Sequence, residues 1–403
     1  MIGEPGADLD GLRAEAHDYE ELLAAAPERF DWPALEERQA AALCYTSGTT
    51  GDPKGARYSH RSTVLHSMGV LSADSLSVGG ADRVLPVVPM FHVNAWGVPY
   101  ACALSGAGLV MPGPDLSPPA LARLIEEERV TLTGGAPTIW AGLLAHATET
   151  GADLSSLRLV VAGGASVPES LIRGFQEKLG LRLLQAWGMT ETSPLGSVAR
   201  PLDEDWDTVA AWAQRTATGR ITPLVDIRLV DGDGNEVPWD GESTGEIQIR
   251  GPWIASAYFG IGADPEKFDG GWLRTGDIAS CDADGYLRIT DRAKDVIKSG
   301  GEWISSVELE NRLMGHDDVA EAAVIAMPDE RWSERPLACV VLREGRDLDV
   351  EDLRTHLAAH LARWQVPDAF AVIPEVPKTS VGKFDKKKLR AALQEGDLDI
   401  VRA

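Results

Sequence analysis

Apolar and polar positions follow two different patterns along the chain. Up to residue 218, runs that are apolar throughout, such as LRLVVA at 157–162, alternate with segments of helical periodicity. A continuously apolar run is typical of a strand that is covered on both faces. Its alternation with helices predicts an α/β fold, in which helices are layered on both faces of a parallel sheet.

The pattern changes after residue 218. Short strands separated by Asp/Gly turns fill residues 223–290 and predict a small β subdomain. The charged, glycine-bearing stretch DRAKDVIKSGGEW (291–303) is typical of an interdomain junction. The remaining residues predict a smaller α+β domain that includes an amphipathic helix at 350–364. We therefore expect an α/β part over 1–218, a β subdomain over 219–290 and a hinged C-terminal domain over 291–403.

Capping patterns predict where several helices begin. Ser166 with Glu169, and Ser305 with Glu308, have the spacing of a capping box. The segment that follows Gly11, up to residue 42, is predicted to be mostly helical, with Tyr19, Leu22 and Leu23 as contacts to the core.

The stretch YTSGTTGDPKG, from Tyr45 to Gly55, is the strongest candidate for chemistry. It joins an apolar run to a predicted helix, and it is rich in hydroxyl groups and glycine. A strand, such a loop and a helix can direct backbone amides and hydroxyls at a phosphate. Lys54 can neutralise phosphate charge. From composition alone a flexible surface loop is the alternative, and the Walker A pattern does not occur.

Composition excludes several partners. The 403 residues carry a formal net charge of −24, which argues against nucleic acid and anionic lipid as partners. The four cysteines are far apart in sequence and fit a reducing, cytoplasmic location. We expect no signal peptide and no integral membrane contact, because no suitable apolar stretch is present.

Two carboxylates and one lysine stand in short polar motifs. Glu191 ends WGMTE, where a carboxylate next to a phosphate loop is reasonable if a divalent cation bridges them. Asp277 ends GWLRTGD, and one carboxylate can accept both hydroxyls of a ribose. Lys383 lies in TSVGKF. For Asp277 taken alone, the alternative is a structural residue in a turn. For Lys383 taken alone, the alternative is a solvated surface charge.

The stretch PMFHVNAWG (89–97) predicts part of a substrate pocket. Residues 91–97 include no acidic side chain that could pair with an amine, which favours a plain carboxylic acid with an apolar tail. A packed core histidine is the alternative for His92. His356 and His360 have a spacing that can bind zinc, but they lack the glutamate of HExxH, so exposed histidines are expected.

These motifs, in this order, resemble those of the adenylate-forming superfamily, which includes acyl-CoA synthetases, luciferases and peptide-synthetase adenylation domains. The runs KSGGEWISSVELE, ERPLACVV, RWQVPDAF and VPKTSVGKFDK are similar to those of medium- and long-chain fatty acid–CoA ligases. The resemblance extends from about Tyr19 to Lys388.

The resemblance implies a site for ATP and Mg²⁺. Glu191 would be a magnesium ligand with Thr46 as a second, and Thr190 would contact the α-phosphate. Asp277 and Arg292 would hold the ribose. The implied loop contacts are Ser47, Gly48, Thr49, Thr50, Gly51 and Lys54. Gly164, Gln185 and Ala186 would line the adenine, with Trp187, Gly188, Val93 and Trp96 as further nucleotide contacts.

The resemblance also implies an acyl pocket and a moving domain. His92, Val93 and Trp96 would line the pocket, with Trp96 as an indole gate. Lys294 would be the pivot of the hinge, with Lys298 and Trp303 as nucleotide contacts. Gly300 and Gly301 would let the pantetheine arm of CoA pass. Catalysis would depend on Lys383, Glu191 and Lys54.

The implied reaction has two halves: a fatty carboxylate attacks the α-phosphorus of ATP, and the thiol of CoA then attacks the acyl-adenylate. Alternatives are a ligase for a short thioether or aryl acid, an enzyme that loads a carrier protein, and a non-catalytic remnant that binds nucleotide. Family members carry a large N-terminal subdomain before the phosphate loop. Because the loop begins here at residue 45, we expect that subdomain to be lacking. In some relatives that subdomain contributes to a dimer interface. A homodimer is nonetheless a further expectation.

Overall fold

The computed structural model describes residues 17–46, 53–261, 264–300, 302–378 and 384–402, with the side chain of Trp303 left aside. Predictions for residues 47–51, Gly301, the Trp303 side chain and Lys383 therefore lie outside the described residues.

The first part of the chain alternates strands and helices. Its helices are α1 (Tyr19–Ala25), α2 (His60–Leu71), the single turn α3 (Val93–Trp96), α4 (Val98–Ser105), α5 (Pro118–Glu127), α6 (Pro137–Thr150), α7 (Glu169–Leu179) and α8 (Val209–Arg215). Its strands are β1 (Ala40–Tyr45), β2 (Gly55–Ser59), β3 (Arg83–Pro86), β4 (Gly108–Leu109), β5 (Leu132–Gly135), β6 (Leu159–Gly163), β7 (Leu183–Gly188), β8 (Leu195–Val198) and β9 (Gly219–Ile221).

The later part is richer in strands. These are β10 (Asp226–Val230), β11 (Gly245–Arg250), β12 (Phe268–Asp269), β13 (Trp272–Cys281), β14 (Tyr286–Arg292), β15 (Ile297–Ser299), β16 (Glu302–Ile304), β17 (Val319–Asp329), β18 (Ser333–Leu342), β19 (Ala369–Val372) and β20 (Ile400–Arg402). Its helices are α9 (Ser306–Leu313), α10 (Val350–Ala358) and α11 (Lys386–Glu395).

The predicted mixed α/β fold is confirmed. Strands β4, β3, β5, β6 and β7 are parallel and form one end of a twelve-stranded sheet in the described residues. Apolar side chains of β6 alternate between two cores. Val160 packs in the core with α5, α6 and α7, and Val161 packs in the core with α2 and α4. Helices thus cover both faces, as the apolar run predicted.

The β-rich residues continue the same sheet. Antiparallel strands β8 and β9 connect β7 to β14, β13, β11 and β10. A separate six-stranded sheet, centred on β18, belongs to the C-terminal part, where β17 and β18 form a long hairpin. The carboxyl ends of β6 and β7, where ligands bind in open α/β sheets, therefore lie close to the antiparallel strands that follow.

Three predictions about helices are wrong. α7 begins at Glu169 with Pro168 as its N-cap, so Ser166 does not form a capping box with Glu169. α10 ends at Ala358, and Trp364 beyond it is exposed. Helix α1 covers only seven residues and buries none of them. The other capping site is confirmed, since Ser305 accepts a 3.0 Å hydrogen bond from the Glu308 amide.

Candidate active site

The hairpin strands β13 and β14 and the strand β7, which is distant in sequence, meet at the Asp277 carboxylate. Asp277 lies in β13 and is 6% exposed. Its Oδ2 accepts a 2.9 Å hydrogen bond from Trp187 Nε1, and its Oδ1 accepts a 3.1 Å hydrogen bond from Arg292 Nε. Each carboxylate oxygen has two lone pairs, so both can still accept a ligand hydroxyl. The predicted ribose residues Asp277 and Arg292 are thus brought together.

The strand β7 brings Trp187 to this carboxylate. Gly188 follows it, and a Cβ atom there would lie 1.5 Å from the Pro194 carbonyl oxygen, so only glycine fits. The tight turn that results carries the chain into the 3₁₀ turn Thr190–Thr192. This turn places Glu191 beside the sheet end.

Glu191 is oriented by a tyrosine that the sequence motifs did not predict. The carboxylate is 4% exposed, and its Oε1 accepts a 2.5 Å hydrogen bond from the Tyr258 hydroxyl. Burial and the charge of Glu191 raise the pKa of Tyr258, so the phenol keeps its proton and remains a donor. Carboxylates oriented in this way by an outer partner are typical of metal ligands.

Lys54 lies over the ring of the same tyrosine. Its Nζ is 4.9 Å from the centre of the Tyr258 ring and 3.5 Å from Asp264 Oδ2. Thr46, at the end of the β1–β2 hairpin, accepts a 3.0 Å hydrogen bond from the Lys54 amide through Oγ1. The structure therefore joins Thr46, Lys54 and Glu191 through Tyr258 and the hairpin.

A second cation close to these groups was also missed. Lys267 is half-buried and donates a 3.3 Å hydrogen bond to the Thr275 carbonyl. Burial lowers the pKa of Lys267, while the charges of Glu191 and Asp277 oppose that effect. Residues 258–267 contain no motif that would have pointed to Tyr258 or Lys267.

The oxygen donors fit a magnesium ion. Glu191 offers a buried carboxylate and Thr46 a hydroxyl, and hard oxygen ligands are those that Mg²⁺ prefers. Lys54 and Lys267 supply positive charge that suits a polyphosphate. We regard the donor set as compatible with Mg²⁺ carried by ATP.

Trp96 lies against the carboxyl ends of β5 and β6. A Cβ atom on Gly163 would be 3.1 Å from Trp96 Cη2 and 2.8 Å from the Ala186 carbonyl oxygen. The indole also lines an apolar cavity between β3, β5 and β6. Trp96 is therefore close to β7 and to Gly164, which is exposed with φ of +84° at the end of β6. Gln185 of β7 is buried.

The turn α3 that carries Trp96 is left-handed. Its four residues have φ between 50° and 59°, although left-handed turns of residues other than glycine cost about 1–2 kcal/mol per residue. Val93 is buried beside Cys44, Ala56 and Tyr58, and His92 precedes it as a half-buried residue.

Partial desolvation lowers the pKa of Lys294, and the charges of Asp295 and Asp277 oppose that effect, so this predicted hinge residue is within electrostatic reach of the Asp277 cluster. Lys294 and Lys298 are exposed, and the amide of Lys298 donates to Glu334 Oε2 at 2.7 Å. Gly300 has φ of +62°, and a Cβ atom there would be 2.6 Å from Trp332 Cε3. The backbone thus passes directly under an indole ring.

Two contacts join the segments before and after Lys294. Asp291 Oδ2 accepts a 2.6 Å hydrogen bond from the amide of Ser306, the first residue of α9. Asn311 of the same helix donates a 3.0 Å hydrogen bond to Ser166 Oγ in the loop after β6. Ser166 thus contacts the C-terminal part instead of capping α7.

The chain belongs to the AMP-binding enzyme family, which is part of the adenylate-forming superfamily. Residues 6–259 match the family model "AMP-binding enzyme", and residues 308–383 match the model "AMP-binding enzyme C-terminal domain". The resemblance stated from the motifs is therefore confirmed.

Named relatives cover most of the chain. A 3-methylmercaptopropionyl-CoA ligase of Ruegeria pomeroyi is 48% identical over 96% of this chain and 72% of its own length. A long-chain-fatty-acid–CoA ligase of Thermus thermophilus is 48% identical over 92% of this chain and 69% of its own length. The crystal structure of the anthranilate CoA ligase AuaEII with anthranoyl-AMP matches with a TM-score of 0.83 at 28% identity, covering 94% of this chain and 72% of that one.

Proposed function

We propose that the protein activates a carboxylic acid with ATP as an acyl-adenylate and transfers the acyl group to CoA, with a medium- or long-chain fatty acid favoured. The observation that carries this proposal is the convergence of Trp187 and Arg292 on the Asp277 carboxylate. It joins three motifs of the nucleotide site in a single cluster. Relatives of 48% identity that are named acid–CoA ligases support it.

The residues of the cluster have separable tasks in this proposal. Asp277 binds the two ribose hydroxyls, and Arg292 and Trp187 hold its carboxylate in place. Lys54 binds phosphate oxygens. Mg²⁺, when bound with ATP, would be held by Glu191 and Thr46 and would offset the charge of the phosphates. Positioning and charge neutralisation are the main requirements of such displacements at phosphorus.

The C-terminal part serves both halves of the reaction in this proposal. Lys383 neutralises charge while the acid attacks, and Gly300 and Gly301 accommodate the pantetheine arm of CoA. Rotation about Lys294, between a domain of residues 1–290 and a domain of residues 291–403, selects the half-reaction.

A short thioether acid is the second candidate substrate. The relative from Ruegeria pomeroyi is named for 3-methylmercaptopropionyl-CoA and is as similar as the long-chain fatty acid ligase. Both acids have an uncharged tail, which fits the apolar cavity next to Trp96.

A cytoplasmic location completes the proposal. All four cysteines of the chain are unpaired and buried, which fits a reducing compartment. Among the described residues, no helix is long and apolar enough to cross a membrane.

The experiment is a panel of acids from C2 to C18, with 3-methylmercaptopropionate included, incubated with the full chain, ATP, MgCl₂ and CoA. We expect acid-dependent release of pyrophosphate and AMP and formation of a thioester seen by mass spectrometry. Asp277→Asn should lose this activity, whereas Asp240→Asn, in an exposed turn, should retain it. Absence of pyrophosphate release with every acid would refute the proposal and favour a nucleotide-binding remnant.

A further inference from the structure

The segment between β11 and β12 is attached to two sides of the candidate site. Its Ala255 amide donates a 2.7 Å hydrogen bond to the Glu191 carbonyl, and its Phe259 amide donates a 2.8 Å hydrogen bond to the Gly55 carbonyl. The segment therefore contacts both the turn that carries the predicted magnesium ligand and the β1–β2 hairpin. Asp264 lies farther along the same segment, shortly before β12.

The carboxylate of Asp264 pairs with the lysine of the hairpin. Its Oδ2 is 3.5 Å from Lys54 Nζ, and the side chains of Lys54 and Asp264 are 41% and 24% exposed. The ammonium group also lies 4.9 Å from the centre of the Tyr258 ring. Burial and the charges of Glu191 and Asp264 raise the pKa of Tyr258, so the ring under the ammonium stays uncharged. Solvent, and therefore a ligand, can reach both members of the pair.

The turn at Asp264 is held by backbone and ring contacts. The Asp264 carbonyl accepts hydrogen bonds from the amides of Lys267 at 3.0 Å and Phe268 at 2.7 Å. The Phe268 ring packs edge-to-face on Tyr258 with 5.2 Å between centroids. Among the described residues, the Asp264 carboxylate has no cation other than Lys54 within 4.0 Å. The charge of this carboxylate therefore acts on Lys54 and is not needed to form the turn.

A carboxylate on Lys54 opposes the binding of phosphate there. In the proposed function, Lys54 binds phosphate oxygens. Its ammonium group has three donors and can contact two anions, but two anions that share one ammonium repel each other. Asp264 must therefore either leave Lys54 when phosphate arrives or stay beside it as a like charge. Both cases lower the affinity for phosphate.

We propose that Asp264 is a positioning residue that competes with phosphate for Lys54, and that it thereby weakens the binding of ATP and of the pyrophosphate product. This inference rests on the proposed function. An ion pair that is this exposed changes an equilibrium by about two- to fivefold. Asp264 takes Lys54 back as pyrophosphate leaves, which disfavours the reverse reaction because that reaction requires bound pyrophosphate.

The test measures the Kd of the full chain for three ligands by calorimetry with MgCl₂ and without acid. The ligands are ATP, pyrophosphate with AMP present, and adenosine, which has the ribose but no phosphate to reach Lys54. Asp264→Asn removes the charge and retains the shape of the side chain, and Asp264→Glu retains the charge. Asp269→Asn removes an exposed carboxylate of β12 and is the matched control.

We expect Asp264→Asn to lower the Kd for ATP and for pyrophosphate about two- to fivefold and to leave the Kd for adenosine unchanged. Asp264→Glu and Asp269→Asn should bind all three ligands as the wild type does. If Asp264 instead held Lys54 ready for phosphate, Asp264→Asn would bind ATP more weakly. That result, or an unchanged Kd for ATP and pyrophosphate, would overturn the inference.

A double-mutant cycle with Lys54→Met identifies the route of the effect. In the Lys54→Met background, Asp264→Asn should leave the Kd for ATP unchanged, because the cation for which the two anions compete is gone. An effect of the same size in both backgrounds would overturn the inference and indicate a general change in surface charge. These Kd values need no turnover, so they decide the competition for Lys54 even if no acid releases pyrophosphate and the proposed function fails.

Discussion

The indole Nε1 of Trp187 donates a 2.9 Å hydrogen bond to Asp277 Oδ2, across 90 residues of sequence. This contact connects the end of the parallel strands to the antiparallel strands of the same sheet. It also leaves Arg292 to hold the other carboxylate oxygen. The orientation of Asp277 is thus set from two directions before a nucleotide binds.

Removing the indole donor should weaken nucleotide binding. We expect Trp187→Phe to raise the KM for ATP about tenfold, since a hydrogen bond to a charged group is worth about 1.5–3 kcal/mol and water compensates in part. The KM for the acid should change less. Trp239→Phe, at an indole that is 40% exposed, is the control. A change in the KM for the acid without a change in the KM for ATP would contradict the assignment of Asp277 to the ribose.

Removing the phenol that orients Glu191 should change the magnesium requirement. Tyr258→Phe deletes the donor to Glu191 Oε1 and retains the ring beneath Lys54. Loss of an outer partner typically costs about 10–100-fold in metal affinity. We expect the Mg²⁺ concentration that gives half-maximal pyrophosphate release to rise about tenfold.

The control variant for Tyr258→Phe is Tyr286→Phe. In the wild type, the Tyr286 hydroxyl donates a hydrogen bond to the Arg200 carbonyl. This control should leave the Mg²⁺ dependence as in wild type. Equal shifts in both variants would indicate a general loss of stability and not a role at the metal.

Lys383→Ala should separate the two half-reactions. We expect acyl-adenylate formation to fall by about 10²–10³, the range seen when one electrostatic stabiliser of a transition state is removed. Thioester formation from supplied acyl-adenylate and CoA should persist. Lys387→Ala, at an exposed lysine of α11, is the control, and rapid-quench assays of each half provide the measurement. Equal loss of both halves would disprove the assigned role.

Low pH should remove the stabilisation of the folded state that Asp82 contributes. This buried carboxylate lies just before β3 and accepts hydrogen bonds from Arg158, Thr131 and the Gly79 amide. Burial opposes ionisation, but these hydrogen bonds together lower the pKa of Asp82 from 3.8 to about 2. Because the folded pKa lies below the unfolded one, the stabilisation is present above about pH 4 and is lost as the pH falls toward 2.

We therefore expect Asp82→Asn to lower the free energy of unfolding by about 2 kcal/mol at pH 7. The difference from wild type should shrink between pH 4 and pH 3 in urea titrations. Asp317→Asn, at an exposed position, should show no such pH dependence. A difference that stays constant with pH would contradict the predicted origin of the effect.

The sequence was sufficient to predict contacts within local patterns. Asp277 and Arg292 face each other across adjacent strands joined by the Asp/Gly turn of residues 282–285, and both were identified from their motifs. The apolar run of β6 likewise predicted its burial on two faces, because that signal depends only on the residues of the strand itself.

Contacts made across the fold could not be predicted in this way. Tyr258 reaches Glu191 over 67 residues, from a stretch without a recognisable pattern. Ser166 has the spacing of a capping residue, but Pro168 stands at the N-cap and Ser166 pairs with Asn311 instead. The apolar side chains of α1 are exposed. Periodicity alone does not identify the surface that would cover such side chains, so this exposure could not be predicted.

The hydrogen bond from the Ser306 amide to Asp291 would report on the proposed rotation about Lys294. Asp291 precedes Lys294 and Ser306 opens α9 beyond it, so a rotation about Lys294 that separates these two residues would leave the first amide of α9 without this partner. Under the proposed rotation, the exchange of this one amide proton would record the orientation of the C-terminal part. Ligands that turn this part away should speed its exchange with solvent deuterium, and ligands that hold it in place should slow that exchange.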